Sequence, residues 1–443
     1  MSRVLLLALF CLFVPLAVQA TDCNRPTRDA VAYVGLPGQP FTAIPTSDGC
    51  WIFVSLISGT APSAAGVAVL SRREGRVALE RTVPLQGLPS GMALTHDGGL
   101  LIVPSGFGVA FLDVQRLTTG IGEPLLASWG SQPATQGLIY AAITADDRYL
   151  FVSNEGIGRI SVIDLAATRR LGFRRTVLIG TIVVGSEPVG LAFSTDQRYL
   201  FATSQSMRTL GWPLSCRPET NPRAAPDHAE GALVVIDLQR AVSEPATTPV
   251  VKFVKAGCNP VRVVTSPRGG RVYVTARGSD ALLMFDENDL TRQNFEAVAE
   301  RVHVGTAPVG VAVLDEGRRV VVTNSDRFGN ATAGTQSLYV IDPYHGVARP
   351  RAILGLIPTS ALAREIRSTA DGRTLLVTNC TGRSLEIVDM ARTPWVFSPS
   401  HEQPRETSSG GRALLGALAG AGLWNTSALL ASTDSSMRAP GPY

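Results

Sequence analysis

The chain has 443 residues, of which 17% are charged and 6% aromatic, with 43 Gly, 29 Pro and a formal net charge of +4. So small a charge excess, with no continuous run of Lys or Arg, argues against nucleic acid as a partner. The composition is turn-rich, and the length exceeds what one ordinary core organises, which suits a repeat architecture.

Arg3, the apolar stretch Val4 to Val18 and the small-residue site Val18-Gln19-Ala20 together read as a secretory signal. Its apolar run is shorter than the roughly twenty residues a spanning helix needs. Residues 1–20 are therefore expected to be a signal peptide, and the product to be secreted or otherwise extracytoplasmic, with no membrane span after cleavage. Five cysteines follow it: Cys23, Cys50, Cys216, Cys258 and Cys380. None forms C-x-x-C or C-x-x-C-H, so metal, redox and haem-attachment patterns are missing. In an exported chain this number reads as two disulfides and one leftover thiol.

Downstream, one phrase recurs. An apolar stretch leads to a Ser/Thr-x-Asp turn, then to a second apolar strand ending in a small polar residue. Pro188-Val189-Gly190-Leu191-Ala192-Phe193 leads through Ser194-Thr195-Asp196 into Tyr199-Leu200-Phe201-Ala202-Thr203. Likewise Pro308-Val309-Gly310-Val311-Ala312-Val313 leads into Val320-Val321-Val322-Thr323-Asn324. Seven copies align, with Thr42, Gly91, Tyr140, Gly190, Arg262, Gly310 and Glu365 in register at spacings of 49, 49, 50, 72, 48 and 55 residues. A third strand ends in an acid (Asp164, Asp237, Asp342, Asp389), and a fourth leads to the next copy.

Four short β-rich stretches per unit of about fifty residues predict an all-β, seven-bladed β-propeller with four-stranded blades over residues 21–398. The last copy supplies only three strands, whereas Ala30 to Gly35 has no copy of its own. That N-terminal strand is expected to complete the last blade and close the ring, with Trp395 to Ser398 as a competitor for the same place. Residues 399–443 read as a disordered tail.

The triplets Val322-Thr323-Asn324 and Val377-Thr378-Asn379, and more loosely Val152-Ser153-Asn154 and Val274-Thr275-Ala276, resemble the signature of YVTN-repeat β-propellers. That group lies close to the lactonase and cytochrome d1-like propellers. The resemblance covers residues 30 to 392 and implies the fold. Its members include lactone hydrolases, cycloisomerases, surface-layer proteins and haem-binding domains. No catalytic motif matches residue by residue.

In such a ring the starts of the inner strands and the ends of the second strands open on one face, where ligands are expected. Arg262 and Glu365 replace small inner residues and are the foremost catalytic candidates, with Glu155 as an alternative base acting through a water. Tyr140, Asn154, Arg277, Asn324, Asn379 and His228 are candidate ligand contacts, and Arg262 with Arg277 would suit a carboxylate or phosphate. Cys216–Cys258 is expected to pin the long insertion Gln205 to Gly231, and Cys23–Cys50 to tie the N-terminal segment to the first blade. Cys380 is left over. Asn330, Asn379 and Asn425 match the glycosylation sequon. The remaining histidines fall away from the ligand face, and His/Asp pairs at metal spacing are missing, so neither a metal nor another cofactor is expected. These features point to a monomeric, lactonase-like hydrolase or isomerase of a small secreted metabolite. A non-catalytic extracellular binding or surface protein using the same loops is the alternative.

Overall fold

The computed structural model describes residues 23–59, 65–130, 137–221, 223–247, 249–327, 336–344 and 352–396. The proposed signal peptide, the C-terminal tail, Asn330 and Asn425 lie outside them.

Seven four-stranded antiparallel sheets form the seven blades. Blade 3 is typical, with strands Leu138–Ile143, Tyr149–Asn154, Arg159–Asp164 and Val177–Val183 running from channel to rim. Near-continuous apolar runs in the three inner strands, rich in Leu, Ile, Val and Phe and buried at almost every position, suit a sheet covered on both faces. The apolar clusters accordingly lie between neighbouring blades. One joins Leu101, Val103 and Leu112 of blade 2 to Phe53, Val67 and Val69 of blade 1. Another joins Val272, Val274 and Phe285 of blade 5 to Phe201 and Val235 of blade 4.

The repeated residues have definite jobs. In the Ser/Thr-x-Asp turns, Thr46, Thr95, Thr144, Ser194 and Thr369 donate to Asp48, Asp97, Asp146, Asp196 and Asp371 at 2.5–2.7 Å. Among the acids ending third strands, Asp113, Asp164, Asp237 and Asp286 accept an N–H of the following helical turn and cap it.

Hydroxyls near the ends of the second strands knit the ring. The Ser55, Ser153, Thr203, Thr275, Thr323 and Thr378 hydroxyls each donate to a carbonyl of the next blade: Ser90, Val189, Val261, Val309, Arg364 and Phe41. Five of them also accept the inner-strand N–H of their own blade, from Thr42, Gly190, Arg262, Gly310 and Glu365. Pro104 stands at this position in blade 2. There the link is backbone to backbone, with Gly91 N–H donating to Ile139 O at 2.8 Å. This relay is the physical content of the Thr in the repeated triplet.

Closure follows the expected route. Val31–Gly35 pairs with the third strand of blade 7, Val31 opposite Val388 and Gly35 opposite Ser384. The competitor goes elsewhere: Val396 bridges Leu356 on the outer strand of blade 6, with N–H···O distances of 3.1 and 2.9 Å. Gly355 makes room for it, since a Cβ there would lie 2.5 Å from that of Trp395. Cys23–Cys50 and Cys216–Cys258 are both bonded, and Cys380 is a buried free thiol.

Candidate functional site

Around the channel, small and large residues alternate. Gly91, Gly190 and Gly310 each precede a blade whose equivalent residue is large: Tyr140, Arg262 and Glu365. The order has a steric cause. A Cβ on Gly91 would lie 2.1 Å from the Tyr140 ring. On Gly190 it would lie 2.8 Å from Val261 O, and on Gly310 it would lie 2.9 Å from Ile366 N. Glycine lets the neighbouring inner strand approach closely, and that strand sends its side chain into the channel.

The three large side chains meet. Arg262 Nε donates to Glu365 Oε2 at 2.5 Å. The guanidinium also lies 4.8 Å from the centre of the Tyr140 ring and 5.7 Å from that of Phe41. Arg367, two residues after Glu365, donates to the Tyr140 hydroxyl at 2.5 Å. Arg262 and Glu365 are only 4% and 3% exposed. Burial pushes the Tyr140 phenol up, so it stays neutral and accepts from Arg367. Arg262 and Glu365, expected to face a ligand, therefore face each other in a plug that includes Tyr140.

Above the plug lies a looser charged layer. Arg277, just past a second strand, donates from Nε to both Glu219 carboxylate oxygens at 2.9 and 3.1 Å, and from Nη2 to Gln205 Oε1 at 3.0 Å. Gln205 in turn donates to Glu155 Oε1 at 2.8 Å. Glu219 belongs to the long insertion, whose hairpin of Leu214–Cys216 and His228–Ala229 is tied to the next blade by Cys216–Cys258. His228 sits on that hairpin with its Nδ1 2.6 Å from Asp227 Oδ1. Burial raises the Glu155 carboxyl; Gln205 opposes this, and Arg277 and Arg364 oppose it further.

Two more arginines join this layer. Arg364 is half-buried, its guanidinium 4.0 Å from the Phe41 ring centre. Burial first, then repulsion from Arg262, Arg327 and Arg277, brings it down to about 10, with the neighbouring Cys380 opposing. Burial and Arg277 lower Arg327 likewise. Burial pushes the Cys380 thiol up despite Arg364.

Three candidate contacts turn inward. Asn154, Asn324 and Asn379 are buried to 1%, 1% and 0% exposure. Asn324 Nδ2 donates to Ser337 O at 3.2 Å. Asn379 Nδ2 donates to Glu386 Oε2 at 2.9 Å, so its sequon amide is spent inside the blade. Sequence reasoning missed Glu219, Arg327, Arg364 and Arg367. The run Ala363-Arg364-Glu365-Ile366-Arg367 held a signal, since no other inner strand carries three charges. Glu219 had none, because an insertion has no repeat counterpart.

No family model and no curated protein matches the chain. Solved structures do. Hydrazine synthase of Kuenenia stuttgartiensis superposes with a TM-score of 0.58 at 16% identity, covering 81% of this chain and 97% of that one. The β-propeller domain of Cps50 (Swd1) from Myceliophteria thermophila gives 0.56 at 12%, covering 81% and 99%. A chain of the mitotic checkpoint complex gives 0.56 at 13%, covering 88% and 99%. At such identities the likeness is one of fold, and the chain is a seven-bladed β-propeller.

Proposed function

We propose that this protein is an extracytoplasmic, YVTN-type propeller that binds a small anionic molecule, a carboxylate or a phosphate, at the mouth of its channel. One observation carries this reading: three guanidinium groups share one layer, where burial first, and then Arg277 and Arg327 beside it, lower the affinity of Arg364 for the proton, and burial and Arg277 lower that of Arg327. Crowded guanidinium groups cost electrostatic energy, and an anion placed among them recovers it. Burial makes Glu155 take up a proton more readily than an exposed carboxyl, so its opposition to an anion falls as pH falls. The plug beneath supplies a floor. Its own Arg and Glu are spent on each other and almost inaccessible, so the ligand meets Arg277 and the rim instead. The two disulfides suit an oxidising compartment.

A second reading, hydrolysis or isomerisation of a lactone-like metabolite, rests on Glu155. A carboxylate raised by burial and facing arginines has the make-up of a general base beside an oxyanion-stabilising group. One panel separates the two. The protein is titrated calorimetrically with small carboxylates and phosphates, and is incubated with lactones while acid release is followed. Saturable heats lost in Arg277→Ala, with no acid release, support the binding protein. Turnover abolished by Glu155→Gln would establish the enzyme instead, and neither heats nor turnover would remove the mouth as a site.

A further inference from the structure

We propose that the ends of blades 2 and 3 remote from the mouth dock on an anionic lipid surface. The connection between the third and outer strands of blade 3 reads Arg169-Arg170-Leu171-Gly172-Phe173-Arg174-Arg175. Arg169 is neutralised by Asp97 of blade 2 at 2.8 Å. Arg170, Arg174 and Arg175 are exposed, and their side chains form no ion pair among the described residues. Two arginines closing a short helix are explained by its dipole, but Arg174 and Arg175 lie beyond it.

Apolar tips stand among these cations. Leu171 is 46% exposed and Leu178, at the start of the outer strand, 45%. The equivalent connection of blade 2 projects Ile121 at 77%. Single exposed aliphatics need no explanation, but Ile121 and Leu171 on neighbouring connections, with Leu178 on the adjoining strand, share the same ends of two adjacent blades with Arg170, Arg174 and Arg175, which gives that end an amphipathic make-up.

The backbone holds it in shape. Phe173 adopts the left-handed conformation, with φ of 60°, which is costly for a bulky residue. Its ring packs 5.5 Å from that of Phe111 in blade 2, and this contact anchors the turn across the blade boundary with Leu171 on the outside. A soluble polyanion would reward the arginines and gain nothing from Ile121 or Leu171. A bilayer rewards both, with headgroup phosphates for the cations and the interfacial zone for the aliphatics. Docked this way, the mouth faces away from the surface and stays open.

The test is sedimentation of the whole protein with vesicles of phosphatidylcholine alone or mixed with phosphatidylglycerol, at low and high salt. Binding is expected on the mixed vesicles only, and weakened by salt. Replacing Arg170, Arg174 and Arg175 together by Gln should lower it about a hundredfold, at roughly fivefold per cation. Ile121→Ser with Leu171→Ser should lower it severalfold. All five positions are exposed, and an unchanged melting curve verifies folding. Failure of the unaltered protein to prefer the anionic vesicles overturns the proposal. So does binding that ignores the two Ser replacements and is matched by heparin, which would assign the patch to a polyanion.

Discussion

Two arginine–glutamate pairs lie along the channel, and they differ in almost every respect but composition. Arg262 and Glu365 come from inner strands of blades 5 and 7, whose backbones are fixed by the Thr275 and Thr378 hydroxyls, and both are nearly inaccessible. Arg277 and Glu219 come from a strand end and an insertion, and are 15% and 11% exposed. The first pair costs two desolvations and is tolerable only because ring stacking and hydrogen bonds complete it. The second is held by a loop that a disulfide pins, and in the proposed function a ligand carboxylate takes the place of Glu219 without disturbing a blade. The rigid pair fills the channel, and the loop-held pair is the one proposed to give way to a ligand.

The largest expected effect breaks the first pair. Glu365→Ala strands a buried guanidinium and should cost about 3–5 kcal/mol in chemical denaturation. Arg262→Met with Glu365→Leu should cost much less than that single change, because no charge is left unpaired. If the double replacement is as damaging as Glu365→Ala, the plug does more than fill the channel.

Next comes the pin. Cys216→Ser with Cys258→Ser opens a link across 42 residues and should destabilise by about 2–4 kcal/mol, with proteolysis of the insertion reporting its release. Thr275→Val orphans the Arg262 N–H and the Val309 carbonyl, a loss of about 1–3 kcal/mol seen as a lower melting temperature. Glu219→Gln should cost about 1–3 kcal/mol of stability, yet tighten anion binding measured by calorimetry, since Arg277 loses its charged partner.

The subtlest effect is on pH. The folded-state pKa of Glu155 is raised, so its contribution to stability is fully present below the ordinary carboxyl range and is lost as pH rises through the folded value. Anion affinity should follow the same course, stronger at low pH and weaker as Glu155 ionises. Glu155→Gln should flatten this part of the titration.

The ring was legible because its signals are local. The fifty-residue period, the Ser/Thr-x-Asp turn and the orphan N-terminal strand each bear on neighbouring backbone, and the pairing of Val31–Gly35 with blade 7 follows from the count of strands. The cysteine pairs were legible for the same reason, once the copies were in register. The site was legible only by position. Asn154, Asn324 and Asn379 end second strands at the mouth, but periodicity carries no information on which way an amide folds, and these fold inward. Arg262 and Glu365 stood out as charges at small-residue positions, yet their contact spans 103 residues and needs the curvature of the ring. Trp395 and Val396 chose blade 6 because Gly355 leaves a gap in its outer strand, a fit that no turn or repeat announces.

Titration of a small dicarboxylate by calorimetry into three proteins tests the division of labour most directly: the unaltered chain, Arg277→Ala, and Arg262→Met with Glu365→Leu. Saturable heat in the first and third, lost in the second, is the predicted result. Heat that survives Arg277→Ala and vanishes with the plug replacement would contradict it, and would move the ligand from the mouth into the channel.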